Sequence, residues 1–456
     1  MSSGGFPLIA RHSISRALSA YATPAARATV ALFGVDTVTN VIDYAFHMFL
    51  GRTLLPGSFA VVQTINSALL ILITAFGVTQ PVVARYVAEA EAGHTDGLVS
   101  LPQQEGSHGG TPGRAWFQSY FRYSGMLGLA LVLVAWLMRE PLARWLNVPP
   151  LALSLVIAMV PLSLLRPVVA GMLQGQGRTV AFGLTRTFNA VARFAVAALL
   201  IGLGAGALGA IVSLPAGSLV ALLGGLALVG LAAWQPAPAL PLTATLKSLR
   251  LTVGALVAYT AYMSLLNSDL IWVNRVFQPE TAGSYATAVL LRRVLALMPG
   301  AVIVTMYPRA VAKVTRMEVP DALLGKTAAV VTVSTLALTA AYFALGPIIV
   351  QAAFGVNYPE AGALLGWMGI AMLGYGFCSI WLNFYLATRP LPFVILLVII
   401  AIGQHLLLGS HHQTLIQVTG VFLAAGWVTA VGGLLIYLFG LRPQLVSRRN
   451  AANRGS

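Results

Sequence analysis

The stretch from Thr29 to Leu50 reads TVALFGVDTVTNVIDYAFHMFL, an apolar run long enough to span a bilayer. Four polar residues interrupt it: Asp36, Asn40, Asp43 and His47. At about 100° per residue their spacing gathers them into a narrow stripe on one helical face. Ionisable groups inside a span are costly and turn toward protein or a wet cavity rather than lipid. The stripe therefore predicts a helix that lines a cavity or makes a polar contact with a neighbouring helix.

The rest of the chain has the same character. Hydrophobic residues make up 58% and charged residues 9%, against about a quarter charged in a soluble domain. The net charge of +15 does not imply nucleic acid, because the basic residues punctuate apolar runs instead of clustering in a soluble domain. The single cysteine, Cys378, sits in an apolar run and reads as a small core side chain. The first span follows Arg11, Arg16 and Arg27 without a clear cleavable signal, so it is expected to stay in the mature protein.

Twelve spans are predicted: 29–50, 59–83, 116–138, 151–173, 180–203, 208–234, 251–272, 282–307, 327–354, 361–386, 391–408 and 415–439. The proline-rich break Gln235–Pro241 falls between the sixth and the seventh. This gives an all-α polytopic membrane protein with a six-helix lobe over 27–234, a linker over 235–250 and a second six-helix lobe over 251–441. With the N-terminus in the cytoplasm, only Arg52, Arg139, Arg144 and Arg275 fall on the outer side. The other loop and tail Lys and Arg residues fall inside, as the positive-inside rule requires. Both termini are thus expected in the cytoplasm, with the protein in the plasma (inner) membrane.

The two halves carry a weak internal repeat. Arg52, Pro56, Ser58-Phe59-Ala60 and Gln80-Pro81 in the first match Arg275, Pro279, Ser284-Tyr285-Ala286 and Tyr307-Pro308 in the second. Six spans per half make the repeat parallel, and repeat transporters place their sites between such halves near the midplane. The expected cavity lies between spans one, two, seven and eight. Arg122 and Arg186 sit near helix ends and are expected to reach an interface. Arg166, Arg193, Arg292 and Arg293 lie deeper and either face a cavity or pair with other helices.

The repeated junction carries a resemblance. Gly51-Arg52-Thr53-Leu54-Leu55-Pro56-Gly57-Ser58-Phe59-Ala60 resembles the junction of polysaccharide transporters. The stretches Asp269–Arg275 and Pro279–Ala286 resemble its second-half counterpart, and Tyr307-Pro308-Arg309 the ending of the eighth span. Together with the twelve spans, these identify a similarity to the multidrug/oligosaccharidyl-lipid/polysaccharide flippase superfamily, in its Wzx-like polysaccharide transporter branch. Leu55 and Ala60 stand where that family often has glycine.

The resemblance implies two lobes around a central cavity and a flippase that moves a lipid-linked oligosaccharide or polysaccharide precursor by alternating access. It implies no enzymatic activity and no cofactor beyond a coupling ion, H⁺ or Na⁺. The implied partners are the lipid-linked glycan, membrane lipids and glycan assembly enzymes. Arginine suits the pyrophosphate of such a substrate, because its planar fork matches phosphate oxygens and stays charged. Arg292 and Arg293 are the first candidates, with Arg166 and Arg193 behind them. Being adjacent, Arg292 and Arg293 point about 100° apart, so at most one aims straight into a cavity.

Asn66 and Gln63 of the second span are candidate sugar contacts or helix–helix hydrogen bonds. The ion-coupling candidates are Asp36, Asn40, Asp43 and His47 in the first span, with Asp269 and Asn274 in the seventh. Asp43 and His47 are one turn apart and could share a proton. Asp269 either binds a cation with the amide oxygens near it or pairs with a buried arginine. A drug/cation antiporter of the same superfamily would carry in-span acids with few in-span arginines. A membrane glycan polymerase or glycosyltransferase would need an acid/base or metal constellation in a sizeable outer loop. The outer loops are short, and no HEXXH, CXXC or phosphate-binding loop occurs.

Overall fold

The computed structural model describes residues 24–91, 112–250, 252–296, 318–388 and 390–447, with 302, 306, 310, 312–314 and 316. The acidic and glycine-rich stretch 92–111, Tyr307-Pro308-Arg309, Arg389 and the terminal arginines Arg11, Arg16, Arg448, Arg449 and Arg454 lie outside the described residues.

Among the described residues, every predicted span has a helix or helix pair in its place, although much of the latter part of 282–307 lies outside them. In the first half these are α1 (Pro24–Thr53), α2 (Pro56–Gly77) with α3 (Thr79–Glu91), and α4 (Pro112–Leu137). A short α5 (Arg139–Leu146) leads to α6 (Pro150–Ile157) with α7 (Met159–Gly175), then α8 (Thr179–Gly202) and α9 (Gly206–Val229). In the second half α10 (Leu242–Arg250) precedes α11 (Val253–Val276), α12 (Pro279–Val294) and α13 (Asp321–Phe354). The chain finishes with α14 (Ala361–Ala387), α15 (Pro390–Ser410) and α16 (Leu415–Leu435), which runs on into a π-helical turn, Ile436–Leu441. No strand occurs among the described residues. The protein is an all-α polytopic membrane protein, and among the described residues 9 helical segments are long and apolar enough to cross a bilayer. Of the helices at predicted spans, α1, α11 and α12 fall outside that set, and they carry the in-span acids Asp36, Asp43 and Asp269 and the arginine pair 292–293.

Proline opens α2, α6 and α12, where the missing N–H is not needed and the ring's φ already suits a helix. The break at 235–241 has no helical structure and is pinned to α4. Gln118 donates to the Ala233 and Gln235 carbonyls, both at 2.8 Å, Tyr123 donates to the Leu240 carbonyl at 2.9 Å, and the Leu240 amide donates to Ser119 at 3.0 Å. The first half packs α8 on α1 and α9, and α7 on α3, α4 and α9. The second packs α14 on α13 and α16, and α11 on α15. Cys378 is fully buried in that second bundle.

The halves join mainly through α2, which packs on both α11 and α12. At the start of α2 the repeat makes a reciprocal contact: Gly57 lies against Pro279, and Gly283 against Pro56. A Cβ on Gly283 would come 2.5 Å from the Pro56 carbonyl oxygen, so this approach needs glycine. Further contacts cluster at the same end. Arg52 donates through Nε to the Ala353 carbonyl at 2.9 Å and through Nη2 to that of Ala352, holding the last turn of α13. Tyr358 donates to the Gly51 carbonyl at 2.7 Å. Asn147, in the left-handed conformation at φ 53°, donates to the Asn274 carbonyl at 2.7 Å. Asn274 returns hydrogen bonds to the carbonyls of Leu146 (3.0 Å) and Asn147 (3.1 Å). The end of the molecule that carries the 54–55 and 277–278 loops is thereby tied across both halves.

Candidate functional site

The polar stripe of α1 turns inward, as its spacing requires. None of Asp36, Asn40, Asp43 and His47 is exposed, whereas Val38 and Val41 on the other face are 54% and 63% exposed. The two acids meet two arginines of α8. Arg186 donates to Asp36 and Arg193 to Asp43, each at 2.7 Å. Both pairs span the same sequence separation, 150 residues, so they are rungs of one ladder between two helices in constant register. Between them Thr39 and Thr187 hydrogen-bond at 2.8 Å. Arg186 makes its pair with Asp36 while remaining 45% exposed. Arg122 is exposed and donates to the Tyr123 hydroxyl at 3.1 Å.

A cavity of about 220 Å³ opens beside the upper rung. Asn40, Asp43, Tyr44 and His47 of α1, Asn66 and Leu70 of α2, Arg193 of α8, and Leu290 and Arg293 of α12 line it. The walls are therefore spans one, two, five and eight. The seventh span, expected as a wall, does not line the cavity and, among the described residues, meets it only through Asn267, which accepts from Arg293. Gln63 does not line the cavity. It is buried and donates to His47 Nδ1 at 2.8 Å, which places the ring proton on Nε2.

Adjacent arginines on α12 have different surroundings. Arg292 is 1% exposed and closed on Asp269, through Nη1 to Oδ2 and through Nη2 to Oδ1 at 2.9 Å. Its Nη2 also donates to the Leu266 carbonyl at 2.7 Å, and its guanidinium lies 3.9 Å from the Phe422 ring centroid. Tyr285 donates to the same Asp269 oxygen at 2.6 Å. Arg292 is thus a buried tie between α11, α12 and α16, and the expectation of Arg292 as an open anion ligand is corrected. Asp269 likewise does not join Asn274 around a cation: its oxygens hold Arg292 and Tyr285, and Asn274 binds the α5 end.

Arg293, by contrast, reaches Ser67 at 3.1 Å and the Asn267 side-chain oxygen at 3.0 Å. Both acceptors are neutral, and no carboxylate of the described residues pairs with it. Arg193 adds a second guanidinium to the cavity, 4.3 Å from the Phe46 ring centroid, with its Nε buried and unpartnered. The fixed charges on the cavity wall are thus Asp43 against Arg193 and Arg293. A small polyanion fits this wall better than a cation does.

A second cavity of about 180 Å³ lies within the first half. It contains Arg166, Arg186, Gln80, Ser163 and Thr185. Arg166, expected beside the central site, is here instead.

Tyr44 and Ser67 were not among the expected site residues, and Asn267, one of the amides near Asp269, serves Arg293 instead. Tyr44 follows Asp43 and falls about 100° off the stripe. Ser67 becomes relevant only through the packing of α2 on α12, and no local pattern marks it.

No protein-family model matches the sequence, and no curated protein matches it. Solved structures do share the fold. An inward-facing multidrug resistance MATE family transporter of the MOP superfamily is similar at a TM-score of 0.69 and 14% identity, over 92% of this chain and 99% of that one. The lipid II flippase MurJ, in an inward closed conformation, is similar at 0.69 and 11%, over 88% and 86%. A MOP superfamily transporter from Pyrococcus furiosus is similar at 0.60 and 14%, over 92% and 94%. The chain has the two-lobe fold of MOP-superfamily transporters, the fold that the junction motifs imply.

Proposed function

We propose that this protein is a transporter that moves an anionic lipid-linked oligosaccharide or polysaccharide precursor across the plasma membrane by alternating access. The observation that carries the reading is Arg293, a cation on the wall of the interlobe cavity whose partners, Ser67 and Asn267, are neutral. A guanidinium held by neutral acceptors keeps its charge for an incoming anion, and its fork suits phosphate oxygens. Asn40, Asn66 and Tyr44 supply hydrogen-bonding groups for the adjoining sugar. The MurJ structure belongs to a lipid II flippase, and the Pyrococcus furiosus transporter is described by a binding pocket of reverse polarity. The MurJ likeness supports a lipid-linked cargo on this fold, and the Pyrococcus furiosus transporter is an instance of pocket polarity varying within it.

In this reading both termini are cytoplasmic, so the Gly57–Pro279 and Arg52–Ala353 contacts close the outer side. The Asp43–Arg193 pair is the coupling element. A proton on Asp43 releases Arg193, whose charge then adds to that of Arg293. The MATE likeness supports a second reading, a multidrug antiporter, in which Asp43 would bind a cationic compound. Asp43 is already neutralised at 2.7 Å by Arg193, which favours the first.

Vesicles reconstituted with the purified protein separate the two. Flipping of a lipid-linked diphospho-oligosaccharide is expected, with no exchange of cationic dyes against protons. Dye exchange without flipping would reject the proposal.

A further inference from the structure

The cavity inside the first half has a chemistry of its own. Arg166 on α7 lines it and, among the described residues, makes one hydrogen bond, to the Ser218 hydroxyl of α9 at 3.2 Å. That uses one of five guanidinium donors. No carboxylate of the described residues pairs with Arg166, whereas Arg186 and Arg193 on the neighbouring helix each have one. Gln80, Ser163 and Thr185 add neutral polar groups to the wall. Among the described residues, each half thus has a half-buried arginine on a cavity wall with only neutral partners, Arg166 in the first and Arg293 in the second.

The two cavities are offset along the same helices. On α8 the central cavity is lined by Arg193 and the first-half cavity by Arg186. Seven residues separate them, about 10 Å along the axis at 1.5 Å per residue. On α2 and α3 the lining likewise moves from Asn66 and Leu70 to Ile73, Gly77 and Gln80. The displacement runs away from the end tied by Arg52, Gly57 and Asn274.

From this geometry we infer that the first-half cavity is a second anion station, in which Arg166 receives a phosphate group. Arg186 on the same wall is already paired with Asp36, which among the described residues leaves Arg166 as the unpaired charge of this cavity. Its use by the transported substrate, phosphate first on Arg166 and then on Arg293, rests on the transport reading above. The binding of a phosphate group at Arg166 rests on the cavity alone.

The test uses the full chain in detergent micelles, titrated calorimetrically with inorganic pyrophosphate at low ionic strength. The parent, Arg166→Gln, Arg166→Lys and Arg293→Gln are compared, each first shown to unfold at the parental temperature. Two binding events are expected in the parent. Arg166→Gln should weaken one of them at least tenfold and leave the other, Arg166→Lys should keep both, and Arg293→Gln should weaken the event that Arg166→Gln spares. A single event that is lost in Arg293→Gln and untouched in Arg166→Gln would overturn the station while leaving the central site standing. A single event lost only in Arg166→Gln would support the station and remove the phosphate role from Arg293. No binding in the parent would overturn both. Vesicle flipping then separates the sources of the phosphate: slowed flipping in Arg166→Gln supports transit of the lipid-linked group. Unchanged flipping with the event lost would overturn transit and assign the station to free phosphate.

Discussion

Arg292 and Arg293 are neighbours in sequence, yet Arg292 closes on Asp269 with two hydrogen bonds while Arg293 turns to Ser67 and Asn267 at the edge of the interlobe cavity. One helix thus presents the same side chain twice, once as a structural tie and once as an open charge. The difference comes from the helical rotation between adjacent residues and from a single carboxylate on α11, which Arg292 can reach.

The tie predicts a stability phenotype. Arg292→Ala leaves Asp269 buried without its cation, and breaking a buried pair costs about 3–5 kcal/mol. Thermal unfolding in detergent should fall sharply for this variant. The double change Arg292→Met with Asp269→Asn removes both charges and should recover much of the loss. Equal melting of Arg292→Ala and the parent would contradict the role of the pair.

The ladder between α1 and α8 predicts unequal rungs. Asp43 and Arg193 are 37% and 11% exposed, Asp36 and Arg186 33% and 45%. The more buried arginine makes the stronger pair, so a double-mutant cycle on unfolding should give about 1 kcal/mol or more for Asp43–Arg193 and less for Asp36–Arg186. The reverse order would show that the lower rung carries the helix contact.

Much of this was legible before the structure. The spacing of Asp36, Asn40, Asp43 and His47 identified the inward face of α1, because a helix lets lipid and protein be told apart by angle alone. The spans followed from apolar length, and the junction repeat at Pro56 and Pro279 from matching turn residues. Partner choice was not legible. The sequence holds Asp36, Asp43 and Asp269 against many arginines, and pairing is decided by which helices touch. That Gln63 serves His47, that Asn274 binds the α5 end and that span five replaces span seven as a cavity wall all depend on packing across the fold.

The reciprocal contact between the halves predicts a conformational effect. Gly283→Val places a side chain against the Pro56 carbonyl and should push the α1–α2 and α11–α12 junctions apart. Cysteines introduced next to this contact should then react faster with a membrane-impermeant thiol reagent added from outside. Labelling no faster than in the parent would mean that this end does not open by separating the two junctions.

The proposed coupling role of Asp43 predicts an effect with a definite sign. Protonation removes the carboxylate that holds Arg193, so acidification should strengthen pyrophosphate binding at the central cavity. Charging His47 acts in the same direction, so Asp43→Asn and His47→Gln must be compared. Asp43→Asn should bind tightly and lose most of the pH dependence, while His47→Gln keeps it. A pH profile unchanged by Asp43→Asn would remove the coupling role and leave the ladder as packing.

The central claim is that Arg293 receives the phosphate of the transported lipid. Its most direct test is the rate at which Arg293→Ala and Arg293→Lys, both shown to be folded, flip a lipid-linked diphospho-oligosaccharide in reconstituted vesicles. Loss of a desolvated charge contact weakens binding by about 2–5 kcal/mol, so Arg293→Ala should flip at least tenfold more slowly at limiting substrate. Arg293→Lys, which keeps the charge and loses the fork, should fall between Arg293→Ala and the parent. Folded Arg293→Ala that flips at the parental rate would contradict the claim.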